Sequence, residues 1–141
     1  MMLKFKGELL AALLGVNVLL AVPPASAQEV GEKVTLNFQQ AIPNIPGKSL
    51  IVVEVEYAPG AASVPHHHAQ SAFIYAYVLK GAIESQVNDE EARIYQAGQS
   101  WSEAPGALHS ISRNASQTEP AKLLAVFVVD SSDKTLTQPV K

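Results

Sequence analysis

The stretch that decides the fold runs Gly60-Ala-Ala-Ser-Val-Pro65-His66-His67-His68, then Ala69-Gln70-Ser71-Ala72, and into Phe73-Ile-Tyr-Ala-Tyr-Val-Leu-Lys80-Gly81. A Gly and a Pro punctuate its start, and an aromatic and β-branched run ends on another Gly, which reads as loop, extended segment and strand. In extended backbone, residues two apart share a face, so His66 and His68 offer their imidazoles to one point while His67 faces away. Such a pair has the geometry of a chelate, and imidazole nitrogen suits Fe, Mn, Ni, Cu and Zn alike. Taken alone, three consecutive histidines fit a solvated surface cluster equally well.

A second segment changes that balance. Gly98-Gln-Ser-Trp-Ser-Glu103-Ala-Pro105-Gly106-Ala-Leu-His109 brings the fourth and last histidine to the start of another strand, just after a Pro-Gly turn. All four histidines therefore fall in two strand-adjacent segments about 40 residues apart, the separation expected of partner strands in a β-sandwich.

Working outward, the rest of the chain has period-two patterning and no stretch holding a helical apolar period for three turns. The pattern predicts strands over 33–38, 50–57, 72–80, 82–87, 92–95, 99–103, 109–113 and 122–129, separated by Gly, Pro and Asn turns. Short strands punctuated in this way predict an all-β antiparallel sandwich or barrel. Leu123 to Val129 is apolar at every position, which predicts a central strand buried on both faces. Residues 39–48 read as a loop and 131–141 as a polar tail.

Composition excludes several kinds of chemistry. The 141 residues contain no cysteine, so there is no disulfide framework, thiolate metal site or thiol nucleophile. A net charge of −3 with only two arginines provides no basic field for a nucleic acid. Residues 1–27, with Lys4 and Lys6 before an apolar run and Ala25-Ser26-Ala27 at its end, have the layout of a signal peptide. The apolar run is shorter than the roughly 20 residues a bilayer span needs, so no stable membrane anchor is expected once the signal is cleaved. Cleavage after Ala27 predicts a periplasmic or secreted single domain, 28–141, with 8 basic and 12 acidic side chains.

The two histidine segments together resemble the paired motifs of the cupin family. Gly60, His66, His68 and Gly81 match the first motif; Gly98, Pro105, Gly106, His109 and, one place late, Asn114 match the second. The resemblance implies a cupin jelly-roll β-barrel in which His66, His68 and His109 are the ligands of a divalent transition metal. The family usually adds a glutamate or glutamine four or five residues after the second histidine, and here that position falls on Ala72 or Phe73, neither of which can bind a metal.

Three side chains are available in its place. Glu103 has the inward parity of Trp101, which suits a ligand, a group orienting a histidine or a general base, against the alternative of an exposed or salt-bridged carboxylate with no chemistry. Gln70 shares parity with His66 and His68, and His67 could rotate inward. The alternation also gives Phe73, Tyr75, Tyr77 and Trp101 parities that can line the cavity as an aromatic wall, with core filling as the alternative role of each. Arg113, four residues past His109, takes the same parity and is a candidate for holding an anion, with a surface or structural ion pair as the alternative.

Three imidazoles leave the metal's positive charge open to an anionic oxygen, so the expected partner is a small-molecule ligand or substrate carrying an oxyanion. The resemblance implies either an oxygenase, isomerase or lyase, or a non-catalytic module that captures a metal or small ligand. A homodimer through a sheet edge is also expected, with 50–57 as the apolar segment to supply it.

Overall fold

The computed structural model describes residues 30–141; the signal-peptide reading of 1–27 lies outside them. Ten strands follow in order: β1 (Glu32–Ala41), β2 (Lys48–Tyr57), β3 (His66–His68), β4 (Phe73–Lys80), β5 (Ala82–Val87), β6 (Arg93–Gln96), β7 (Ser100–Glu103), β8 (Leu108–Asn114), β9 (Ala121–Asp130) and β10 (Thr137–Pro139). They form two five-stranded antiparallel sheets, ordered β1-β2-β9-β4-β7 and β10-β3-β8-β5-β6. All-β patterning therefore leads to a double-sheet barrel, as the alternation predicts.

β9 is the central strand of the first sheet, and its inner residues Leu123, Ala125, Phe127 and Val129 alternate with half-buried Leu124, Val126 and Val128. The expectation of burial on both faces is thus corrected: among the described residues no layer covers the outer face of this sheet. Register carries the alternation to β4, where Ile74 pairs with Phe127 and Ala76 with Ala125, both pointing inward. Ile74, Val78, Ile83 and Val129 are almost wholly buried in the space between the sheets. Each contributes roughly 1.5–3 kcal/mol relative to remaining exposed.

The same register corrects the aromatic lining. Phe73 and Tyr75 are 49% and 44% exposed, and Tyr77 pairs outward with Leu124, so all three stand on the outer face of the first sheet. Residues 50–57 are likewise not an edge, because β2 lies between β1 and β9. The edges of this sheet are β1 and β7, and β1 runs three residues past the predicted strand before the Ile42–Gly47 turn.

Two strands escape the sequence pattern. β3 and β10 are each three residues long, and Thr137-Gln138-Pro139 pairs with His68-His67-His66 in antiparallel register. β10 carries no apolar alternation and is exposed throughout. It is a strand because β3 presents an edge to pair with, and Val140 N–H and Leu136 C=O extend the pairing to Pro65 and Ala69. The end of the chain is therefore fastened to the strand that bears the histidines.

Two of the four motif glycines show why a side chain is not accommodated at their turns. Gly81 adopts φ +71°, and a Cβ there would lie 2.8 Å from the carbonyl oxygen of Pro120. Gly106, also at φ +71°, is covered by the side chain of Gln70.

Candidate metal centre

β3 and β8 are neighbours, and their register places His66 directly opposite His109. His68 shares the inward face of His66, while His67 is exposed. The three inward rings converge, with centroid separations of 4.8 Å for His66–His68, 5.4 Å for His66–His109 and 5.8 Å for His68–His109. One ligating nitrogen from each lies within 4.8 Å of the others. His66 donates Nδ1–H to the carbonyl of Val64 at 2.7 Å, which sets the tautomer and leaves Nε2 free.

Glu103 reaches this cluster from the opposite sheet. It is the last residue of β7, pairs with Ile74 and is only 2% exposed. Its Oε2 is 2.8 Å from His68 Nε2 and its Oε1 is 3.4 Å from His109 Nδ1. Trp101, two residues earlier on the same face, donates Nε1–H to Oε1 at 3.0 Å and packs on Tyr95 with ring centroids 4.6 Å apart. On the far side of His109, Nε2 is 2.8 Å from the Ser85 hydroxyl.

Electrostatics favour the neutral form of His66 and His109 and the charged form of Glu103. Burial pushes His109 down to about 4, only partly opposed by the charge of Glu103. Burial also lowers His66, against the opposing pull of its bond to Val64. Burial alone would raise Glu103, but the contact with His68, the two imidazoles and the Trp101 N–H together hold it below the usual carboxylate range.

Despite the 2.8 Å approach, His68 Nδ1, His68 Nε2 and Glu103 Oε2 have no well-directed hydrogen bond. An unsatisfied buried polar group costs roughly 1–3 kcal/mol. One nitrogen each of His66, His68 and His109 converges beside Glu103, and an imidazole ligand offers one lone pair while its other nitrogen carries the hydrogen, so the set fits a divalent cation, and the missing family carboxylate has a spatial substitute in Glu103.

The centre lies in a cavity of about 770 Å³ between the sheets. Trp101 and Glu103 line it, as do Val53, Leu123 and Phe127 of the first sheet. Gln70 is exposed and rests over Gly106, outside the cavity. Arg113 is also outside, bonded to Glu84 through Nε and Nη2 at 2.6 Å. Its parity is inverted by an irregularity in register, which pairs Gln86 with Ile111 but Val87 with His109. Ser110 is the extra residue, so His109, Ser112 and Asn114 all face inward and Arg113 faces out. Asn114 is a structural residue: Nδ2 donates to Ala58 and Glu119 carbonyls while Oδ1 accepts from Ser116 N–H.

Sequence reasoning missed Ser85, Tyr57, Ser63, Ser112 and Glu32. Ser85 had a signal, since it occupies the inward position between Ile83 and Val87 in β5, where an apolar residue is expected. The others come from loop, strand end and bulge, where parity gives no guide.

The profile of the Cupin domain matches residues 53–127, which include the whole histidine cluster. No curated protein matches the chain in sequence. Among solved structures, KdgF from Halomonas sp. aligns with TM-score 0.56 at 20% identity, over 76% of this chain and 86% of that one. The DMSP lyase DddQ from Ruegeria pomeroyi DSS-3 aligns with TM-score 0.60 at 16% identity, over 78% of this chain and 52% of that one. An oxalate oxidase in complex with the substrate analogue glycolate aligns with TM-score 0.56 at 22% identity, over 70% and 51% respectively. The chain thus spans about half the length of the latter two. By the matched profile and the barrel that carries its histidines, this chain belongs to the cupin family.

Proposed function

We propose that the protein is an exported, metal-dependent enzyme that acts on a small organic molecule through an oxyanion of that molecule. His66, His68 and His109 hold a divalent transition metal, drawn from Fe, Mn, Ni, Cu and Zn, with Glu103 as the fourth group. The observation that carries this reading is the convergence of one nitrogen from each of three inward histidines beside buried Glu103, whose Oε2 has no hydrogen-bond partner. When bound, the metal supplies Lewis acidity to a substrate oxygen.

The chain's own groups do the rest. Trp101 Nε1–H fixes Glu103 Oε1, which leaves Oε2 as the atom that completes the metal's donor set or accepts a proton from bound substrate. The apolar wall of Val53, Leu123 and Phe127 excludes water and strengthens both interactions. This favours isomerase or lyase chemistry over mere capture. That barrels of the same shape include an oxalate oxidase carrying glycolate and a DMSP lyase supports a small organic substrate.

A second reading, a non-catalytic metal- or ligand-binding module, is favoured by one observation: the family's carboxylate position is occupied by fully buried Ala72 and outward-facing Phe73. Export through cleavage after Ala27 is part of the proposal, as is a homodimer contact at the free edge of β1.

The deciding experiment is metal analysis of untagged protein from a periplasmic fraction, with mass spectrometry of its N-terminus. Stoichiometric metal that disappears in the His66→Ala, His109→Ala double variant, on a chain starting at Gln28, is the expected result. Equal metal content in that variant would refute the centre. Turnover of candidate hydroxy acids that is lost in Glu103→Gln separates the enzyme from the binding module.

A further inference from the structure

A second polar cluster lines the same cavity. Glu32 on β1, Tyr57 at the end of β2, Ser63 in the loop before β3 and Ser112 on β8 all contribute to its wall. They form one continuous string: Ser63 Oγ donates to Glu32 Oε1, the Tyr57 hydroxyl contacts Ser63 Oγ, and Ser112 Oγ lies 2.9 Å from the Tyr57 hydroxyl. Burial pushes the Tyr57 phenol up to about 12, so it stays protonated.

Each hydroxyl has a single hydrogen, and this fixes the direction of the whole string. Glu32 can only accept, so the hydrogen of Ser63 goes to it. Tyr57 must then donate to Ser63, and Ser112 must donate to Tyr57. Every hydrogen points toward Glu32 and none is left over for a ligand. The four side chains present only lone pairs to the cavity, with a carboxylate at one end. No Lys or Arg is among the described residues lining the cavity, and Arg113 is paired on the outside.

We propose that Glu32, Ser63, Tyr57 and Ser112 form an acceptor-only subsite for the hydrogen-bond-donating end, hydroxyl or ammonium, of a substrate whose oxyanion is held at the histidine centre. The inference rests on the proposed metal centre for the oxyanion end only. A substrate with a carboxylate at both ends would bring its second charge against Glu32 with no cation to receive it, at the cost of burying an unpaired charge. The substrate class is therefore a hydroxy- or amino-carboxylate, and dicarboxylates are rejected.

The test uses the mature full chain loaded with Zn²⁺ and titrated calorimetrically with 4-hydroxybutyrate, 4-aminobutyrate and succinate. The first two should bind at least roughly tenfold more tightly than succinate, the difference expected of one hydrogen bond to a charged group. Glu32→Gln should shrink that gap, as should Ser112→Ala. Equal or tighter binding of succinate, failure of all three to bind, or a preference unchanged in both variants overturns the subsite. A second measurement is independent of metal: ethanolamine titrated into metal-free protein should shift the amide resonances of Ser63 and Ser112, and Glu32→Gln should abolish the shifts. Shifts without zinc uptake would refute the metal centre and support the subsite; zinc uptake without them would do the reverse.

Discussion

Glu103 Oε2 stands 2.8 Å from His68 Nε2, yet the two residues belong to different sheets and are 35 positions apart. β7 brings a carboxylate to the histidines where the start of β4 and the residue before it offer only Phe73 and Ala72. The centre is in this way closed by the sheet that faces the histidines rather than by the segment that carries them.

Replacing Glu103 with Gln should lower divalent-metal affinity about tenfold to a hundredfold, the range found when a supporting group around a ligand is lost. Competition titration of Zn²⁺ against a chelator reads this directly. An unchanged affinity would leave Glu103 without a role in the donor set.

His66→Ala combined with His109→Ala should abolish stoichiometric metal binding, whereas His67→Ala should leave it intact, because His67 faces solvent. Elemental analysis of the three proteins after dialysis distinguishes them. Metal loss in His67→Ala would show that the β3 alternation is not the ligating one.

Trp101 is the single tryptophan, donates to Glu103 and lies edge-on to His109 with centroids 6.3 Å apart. Titration with Cu²⁺ should therefore quench the intrinsic fluorescence with one-to-one stoichiometry, and the double histidine variant should lose this saturable phase. Trp101→Phe removes the Nε1–H and frees Glu103 Oε1, so Zn²⁺ affinity should fall although the aromatic contact with Tyr95 is kept.

Acid should destabilise the metal-free protein well before ordinary carboxylates titrate. His109 has a folded value of about 4 against 6.5 when unfolded, so between those values the unfolded chain binds more protons. Stability is thus highest above pH 6.5 and falls as pH drops toward 4, by up to about 3 kcal/mol from this residue. His66, also lowered, acts in the same direction, and Glu103 adds a further loss below 4.5. Urea melts between pH 7.5 and 4 check the slope, which His109→Asn should flatten.

Removal of residues 135–141 deletes β10 and leaves β3 as a bare edge. The truncated protein should fold, because Ile74, Val78, Ile83 and Val129 remain in place and the core loses only the partly buried Leu136 packed against it. Its metal affinity should drop about tenfold as the histidine strand loses its outer support. Unchanged affinity would make the terminal strand dispensable to the centre.

The sequence by itself determined that this chain builds an antiparallel barrel and which three histidines share its interior. Period-two alternation and Gly-Pro turns are local properties, and His-x-His in a strand needs only the backbone pleat to converge. Strand β9 was legible for the same reason, although its outer face proved half-buried, because apolar composition does not say whether another layer is present. Tertiary structure alone decided the remainder. One extra residue at Ser110 reversed the parity that would have pointed Arg113 inward, and the β4 register turned Phe73, Tyr75 and Tyr77 outward. The pairing of β10 with β3, and the hydroxyl string from Glu32 to Ser112, join segments distant in the chain. Alternation propagates along a single strand and is lost at a bulge or a chain end, so partners across the barrel become known only once the sheets are folded together.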